Sequence, residues 1–257
     1  MDQKYKQMMK IGYIFFILST FIYSNEEIFS LEFQENTIQK LKHMDAHIIW
    51  IKETKSELLM PRLSKGFSKQ KQERINPILE DLHTLYANNI LQCGAMEMRF
   101  YLGYVSENLL SIYTYYTYDC ANQRSGSTRQ GYLYDLNTAQ RYTLNHLLEF
   151  QKNTPIRNGK NWDVWESYRE NIFAPKLRDE ILKLKSWKTQ QLQKSLCDYS
   201  DVQVWKDPFW VLLEEGIEFK PYFPYSLTGC MDQETIIFSK DWLLQYKNTN
   251  FPDILDY

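Results

Sequence analysis

His43 and His47 stand four residues apart, the spacing that puts two imidazoles on one helix face and that metalloproteases use to hold zinc. That pattern needs a glutamate beside the first histidine. Here Met44 follows His43, and Ile48-Ile49-Trp50 reads as strand, so a solvated or packing role is expected for both. His83 falls among polar neighbours on a helix and is expected at the surface. Ser125-Gly126-Ser127 lacks the second glycine of a nucleophile elbow, and there is no glycine-rich phosphate loop. Paired carboxylates could supply the acid and base of sugar hydrolysis. Glu214-Glu215 precedes Gly216 and reads as a solvated hairpin tip; Glu166 and Glu170 alternate with Lys and Arg, as on an exposed helix face. Asp119, at the end of a tyrosine-rich strand beside Cys120, keeps a catalytic reading open, although such an aspartate more often serves a turn. The sequence therefore predicts no metal and no cofactor, and leans away from an enzyme.

The cysteines carry a different chemistry. There are four, Cys93, Cys120, Cys197 and Cys230, and an even count in an exported chain reads as disulfides. Three pairings are possible. Residues 96–104 and 109–118 look like strands around a turn at Ser106-Glu107-Asn108. Cross-strand partners in a hairpin have a near-constant index sum, and a turn centred between Ser106 and Glu107 gives a sum that pairs Cys93 with Cys120 at its open end. Cys197–Cys230 follows by elimination. A zinc site is disfavoured, because no C-x-x-C spacing occurs and no histidine lies near these cysteines.

Nineteen tyrosines help bring the aromatic share to 16%, which suits half-buried sheet surface where the ring packs and the hydroxyl stays wet. In the run Tyr113, Tyr115, Tyr116, Tyr118 alternate positions face opposite sides of a strand, which explains the run without a ligand. As a partner-binding surface, the candidates are Tyr113, Tyr115 and Tyr118 on that strand and Phe223 and Tyr225 on a later loop.

Export is expected from the N-terminus. Lys4, Lys6 and Lys10 precede IGYIFFILSTFIY, an uncharged apolar run of 13 residues ending at Tyr23, and Asn25-Glu26-Glu27 follow. This charged–apolar–polar layout is that of a secretory signal, and the run is short for a bilayer, which needs about 20 residues. Residues 1–24 are expected to be a signal peptide cleaved after Ser24 or an N-terminal anchor, and residues 25–257 one domain in a periplasmic or other extracytoplasmic compartment. The formal charge is −2, and removing residues 1–24 takes away three lysines and one aspartate and leaves −4. Nothing in this balance draws the chain to nucleic acid or anionic lipid.

The elements that position these residues follow from periodicity. Strand-like pieces are expected at 28–33 and 46–51, and a loop with Pro61 and Gly66 at 58–68. Apolar residues at three- and four-residue steps predict a helix over 69–88, capped by Ser68 and carrying Pro77 inside. The hairpin follows, then a polar loop at 121–130, a strand at 132–136 and a short helix at 144–150. A second long helix is expected over 162–196, bent near Pro175. A hairpin around Glu214-Glu215-Gly216, a strand at 234–239 and a helix at 241–246 complete the chain. Strands and helices do not strictly alternate, so the class is α+β, with a largely antiparallel sheet packed with two long helices.

Several stretches resemble a known family of exported bacterial domains. In residues 132–148 (YLYDLNTAQRYTLNHLL), Asp135, Leu136, Thr138, Thr143, Leu144 and Leu147 match a strand–tight turn–helix pattern. Ala139 stands where glycine is usual and His146 where an acid is usual, so His146 reads as a helix-start residue rather than a catalyst. Residues 74–78, 215–219, 223–229 and 234–242 also fit, in order. The pattern is similar to the extracytoplasmic C-terminal domain of RsiV-like anti-sigma factors and PdaC-like envelope proteins. It implies an α+β binding module over residues 45–246, one that recognises lysozyme in RsiV-like proteins. The metal-ligand motifs of the neighbouring deacetylase domain are not found, so that activity is not implied. The expected function is a periplasmic binding protein without catalysis, recognising a lysozyme-like muramidase, a secreted toxin or a cell-wall glycan in an inhibitor or immunity role. The alternatives are a peptidoglycan-directed envelope enzyme using Asp119, Glu166 or Glu170, and a structural envelope domain.

Overall fold

The structure, a computed structural model, describes residues 41, 45–52, 58–92, 95–119, 126–157, 160–184, 197–223 and 235–254, without the side chains of 89–92, 95–97, 118–119 and 126–128. The expected signal at 1–24 and strand at 28–33 lie outside these residues. Every described strand pair is antiparallel, so the α+β class with antiparallel sheets holds.

Among the described residues the first sheet is a two-stranded ribbon. β1 (Ile48–Lys52) pairs with β2 (Leu59–Leu63), with Trp50 opposite Pro61. The region expected to be a loop around Pro61 is therefore a strand. Proline is tolerated because its missing N–H falls at a position that makes no ladder bond. Helix α1 (Lys69–Gln92) follows. The Lys71 N–H donates to Ser68 Oγ at 3.3 Å, so Ser68 caps it as expected. Pro77 falls in the third turn, and Ile75, Leu79 and Tyr86 form the buried stripe.

The central sheet runs β3 (Ala95–Val105), β4 (Leu109–Asp119), β5 (Gly126–Asp135) and β6 (Arg141–Tyr142), in that order. β5 begins earlier than sequence periodicity suggests, because the long β4 templates it as far as Tyr118 opposite Gly126. Ser106 Oγ accepts from the N–H groups of Asn108 and Leu109 and closes the β3–β4 turn, which is centred one residue later than expected, between Glu107 and Asn108. The register corrects one expectation. Beyond a bulge between Leu102 and Tyr104, Met96 pairs with Tyr118 and Ala95 with Asp119, a sum one higher than the value that pairs Cys93 with Cys120. The later turn centre raises the sum by two, and the extra residue, Gly103, takes one of the two back. The geometric support for that disulfide is lost, and both cysteines lie outside the described residues.

The bulge has a cause across the core. A Cβ built at Gly103 would sit 2.5 Å from the Leu212 carbonyl oxygen, and one built at Gly131, on β5, would overlap the Trp210 carbonyl oxygen. Both carbonyls belong to β7 (Phe209–Leu213), which pairs with β8 (Gly216–Lys220) and through it with β9 (Ile236–Ser239). The central sheet thus packs β7 on one face, backbone against backbone. Tyr104, Leu109, Leu133, Leu212, Ile217 and Phe219 share the core on that side. The other face carries Phe100, Leu110, Ile112, Tyr132 and Tyr134 under α1 and β2.

The remaining helices cover the three-stranded sheet. α2 (Leu144–Leu147) is one turn. The second long helix is α3 (Trp162–Tyr168), a π turn at Arg169–Phe173, and α4 (Ala174–Leu184); its expected continuation to 196 lies outside the described residues. Pro175 explains the π turn: it has no N–H and its ring presses on the carbonyl of residue 171. The Ala174 N–H reaches back to the Arg169 carbonyl instead. A 3-10 turn (Val202–Trp205) and α5 (Lys240–Tyr246) complete the layer. No helix among the described residues is long and apolar enough to cross a membrane.

Candidate functional site

The interface between the two larger sheets brings charges and aromatic rings together. Alternation along the strands puts Tyr113, Tyr115, Arg129 and Gly131 on the face toward β7. Arg129 Nη1 donates to Glu218 Oε1 at 2.7 Å, with both side chains largely buried. The same guanidinium lies 5.7 Å from the centre of the Tyr115 ring. Tyr113 stacks on Tyr101 with ring centres 5.1 Å apart, and burial, reinforced by Glu218, pushes its phenol far up, so it stays protonated. Tyr113, Arg129, Gly131, Trp210, Glu218 and Lys220 line a half-open cleft with about 10 Å³ of room, enough for one water and too small for a sugar.

Three of the expected contact residues can be placed. Tyr113 is 6% exposed, locked between the sheets with Val211 and Leu213, because Gly131 lets β7 approach so closely. Phe223 is buried edge-on against Tyr199. Neither presents a surface to a partner. Tyr115 is half-buried beside Arg129. The side chain of Tyr118, all of Tyr225, and Cys230 lie outside the described residues. Cys197 is buried in the core and disulfide-bonded, to a partner outside the described residues.

The carboxylates considered for catalysis are held by cations or amides. Lys206 Nζ donates to both Glu166 and Glu170, the latter at 2.8 Å, and these two bonds raise the lysine above its usual range. Glu214 is not a solvated tip: it accepts from the Val105 N–H at 3.3 Å and lies 3.8 Å from Lys240. The side chain of Asp119 is outside the described residues, as are His43 and Ser125. His47 is exposed. His83 is a correction, being only 2% exposed. Its Nδ1 lies 3.2 Å from Arg62 Nη2, which can only donate, so Nε2 carries the proton and donates to the Leu58 carbonyl at 2.9 Å. Among the described residues no cluster of His, Cys, Asp or Glu converges as a metal site.

Two features were not foreseen. Within the π turn, Arg169 is buried over the Phe173 ring at 3.9 Å and donates to Asn145, to the Lys206 carbonyl and to Asp207. Burial pulls the guanidinium down to about 10, and Asp207 opposes that shift, so it stays cationic at neutral pH. At the start of α3, exposed Trp162 packs beside Trp165, and Arg157 lies 4.4 Å over the Trp162 ring. Only the aromatic pair was visible as a sequence signal.

No protein-family model matches this chain. No curated protein matches it either. Among solved structures it is similar to a DUF3298 family member from Bacteroides fragilis, at 12% identity and a TM-score of 0.43, over 80% of this chain and 94% of that one. It is also similar to a DUF3298 family protein from Pseudomonas aeruginosa, at 13% identity and a TM-score of 0.41, over 81% of this chain and 96% of that one.

Proposed function

We propose that this chain is an extracytoplasmic binding module that acts without catalysis, recognising a lysozyme-like muramidase in an inhibitor or immunity role. The observation that carries the non-catalytic part is the engagement of Glu166 and Glu170 with one ammonium, Lys206. Two carboxylates neutralised by the same cation are poorly placed to divide into acid and base. The inter-sheet cleft among the described residues has room for one water only, and the reading we favour is a broad partner surface. The family resemblance and the acidic balance of residues 25–257 favour a basic protein such as lysozyme. The exposed Trp162, backed by Arg157, is the contact we assign to it.

The test is calorimetric titration of the full chain, made under oxidising conditions, with a panel of lysozymes, a secreted toxin and wall-glycan fragments. Saturable binding to a lysozyme at micromolar affinity or better, weakened by salt and by Trp162→Ala, is the expected result. Binding only to a toxin or glycan replaces the partner. Turnover of a wall substrate, lost on Glu166→Gln, overturns the non-catalytic reading.

A further inference from the structure

The β1–β2 ribbon is asymmetric in a way that points to a partner. Pro61, opposite Trp50, cannot donate, so the Trp50–Pro61 pair is one without ladder bonds. The Ser64 N–H donates to the His47 carbonyl at 2.9 Å, which fixes the same phase. His47, Ile49 and Ile51 therefore spend their backbone groups on β2, while the N–H and C=O of Ile48 and Trp50 point away from it. Among the described residues β1 has no second neighbour strand. The side chains along it are apolar and open to solvent: Ile49 is 48% exposed, Trp50 39% and Ile51 42%, with Leu59 on β2 at 48%. Among β1's own five residues there is no proline or bulge to protect the edge, and its one charge, Lys52, stands at the end of the strand.

We propose that β1 is a homodimerisation edge, pairing antiparallel with β1 of a second copy about a two-fold axis at Trp50. The sequence IIWIK is self-complementary in this register. Trp50 meets Trp50 and exchanges both backbone hydrogen bonds. Ile49 of each copy meets Ile51 of the other on the opposite face. Lys52 falls across from Ile48, so no like charges meet. Two ribbons become one four-stranded sheet, and Ile49, Trp50 and Ile51 of each copy gain cross-strand neighbours in the other. Three exposed apolar side chains per copy supply much less than the roughly 800 Å² per partner of a standard stable interface, so the dimer is weak and concentration-dependent.

The experiment is sedimentation equilibrium of the full chain in mild detergent from about 1 to about 100 µM, the range in which so small an interface should dissociate. The expected result is a reversible monomer–dimer equilibrium. Trp50→Pro removes the outward N–H but no bond to β2, and raises the dissociation constant at least about tenfold. The double variant Ile49→Lys/Ile51→Lys abolishes pairing, whereas Ile49→Glu/Ile51→Lys restores it, because each Glu then faces a Lys. Under mild oxidation Trp50→Cys cross-links across the axis, where the two Cα atoms lie about 5.5 Å apart, and Ile48→Cys does not. A monomer at all concentrations overturns the proposal. So do equal loss in both double variants, cross-linking by Ile48→Cys as readily as by Trp50→Cys, and concentration-independent exchange protection of the Trp50 amide, which would mean the chain covers its own edge.

Discussion

Arg129 on β5 and Glu218 on β8 form an ion pair of 2.7 Å across the contact between the two larger sheets. Both side chains are largely buried, so removing Glu218 takes the paired carboxylate from a guanidinium that water only partly reaches. Glu218→Ala is expected to cost about 3–5 kcal/mol, and Arg129→Met combined with Glu218→Leu to recover most of it. Urea unfolding of the two single variants and the double variant measures both. Simple additivity of the losses would show that the pair is not coupled.

Gly131→Ala tests the close approach of the layers. The added methyl would overlap the Trp210 carbonyl oxygen, which is backbone and cannot rotate away. A loss of about 3 kcal/mol is expected, seen as a lowered midpoint in thermal unfolding. A shift within error would mean that β7 moves freely.

Ala139 has φ 63°, the left-handed conformation that glycine adopts without steric cost. It follows the Asp135 turn, where Asp135 Oδ1 accepts from Asn137 and Thr138 and Oδ2 from the Tyr142 hydroxyl. Ala139→Gly is expected to stabilise the chain by about 0.5–1 kcal/mol, relief of strain outweighing the greater freedom of the unfolded glycine. A higher denaturant midpoint with unchanged slope is the readout.

Glu180 sets an acid limb. Burial pushes its carboxyl up, but donors from Lys183, Tyr246, Trp242 and Lys176 outweigh that and hold it at about 2. Because the folded value lies below the unfolded one, the stabilisation is present above pH 4.5 and is lost as pH falls toward about 2. Glu180→Gln should lower stability at neutral pH and flatten the profile between those values. An unchanged slope would remove Glu180 as its source.

His146 sets a second limb at milder pH. Its Nδ1 accepts from the Thr143 N–H at 3.0 Å at the start of α2, the place of the acid in a capping box, and burial lowers its pKa. The neutral ring is therefore the stabilising form. Its contribution is complete above the unfolded value of about 6.5 and is lost as pH falls through the lower folded value. His146→Gln, which keeps an acceptor, should remove this part of the pH dependence, measured as unfolding midpoints between about pH 5 and 7.

What was legible in the sequence was local. Helix α1 shows in the spacing of Ile75, Leu79 and Tyr86, the first hairpin in the Tyr113–Tyr118 alternation, and the second in Glu214-Glu215-Gly216. What was not legible depends on groups distant in the chain. His83 looks solvated beside Thr84, but Arg62 on β2 and the Leu58 carbonyl just before that strand receive it. The register offset at Gly103 answers a carbonyl more than a hundred residues later. Tyr113 resembles a contact residue in the sequence and is a buried one in the fold, because Gly131, invisible as a packing signal, brings β7 onto it.

Gly103 and Gly131 also determine what sets the distance between layers. In most sheet packings interdigitated side chains act as the spacer, so the gap changes whenever their volume does. Here two main chains touch, and the gap is gauged by peptide groups that substitution cannot resize. The rings around this contact can change bulk while the layers keep their separation, so latitude in side-chain volume lies beside two positions, Gly103 and Gly131, that take no side chain at all.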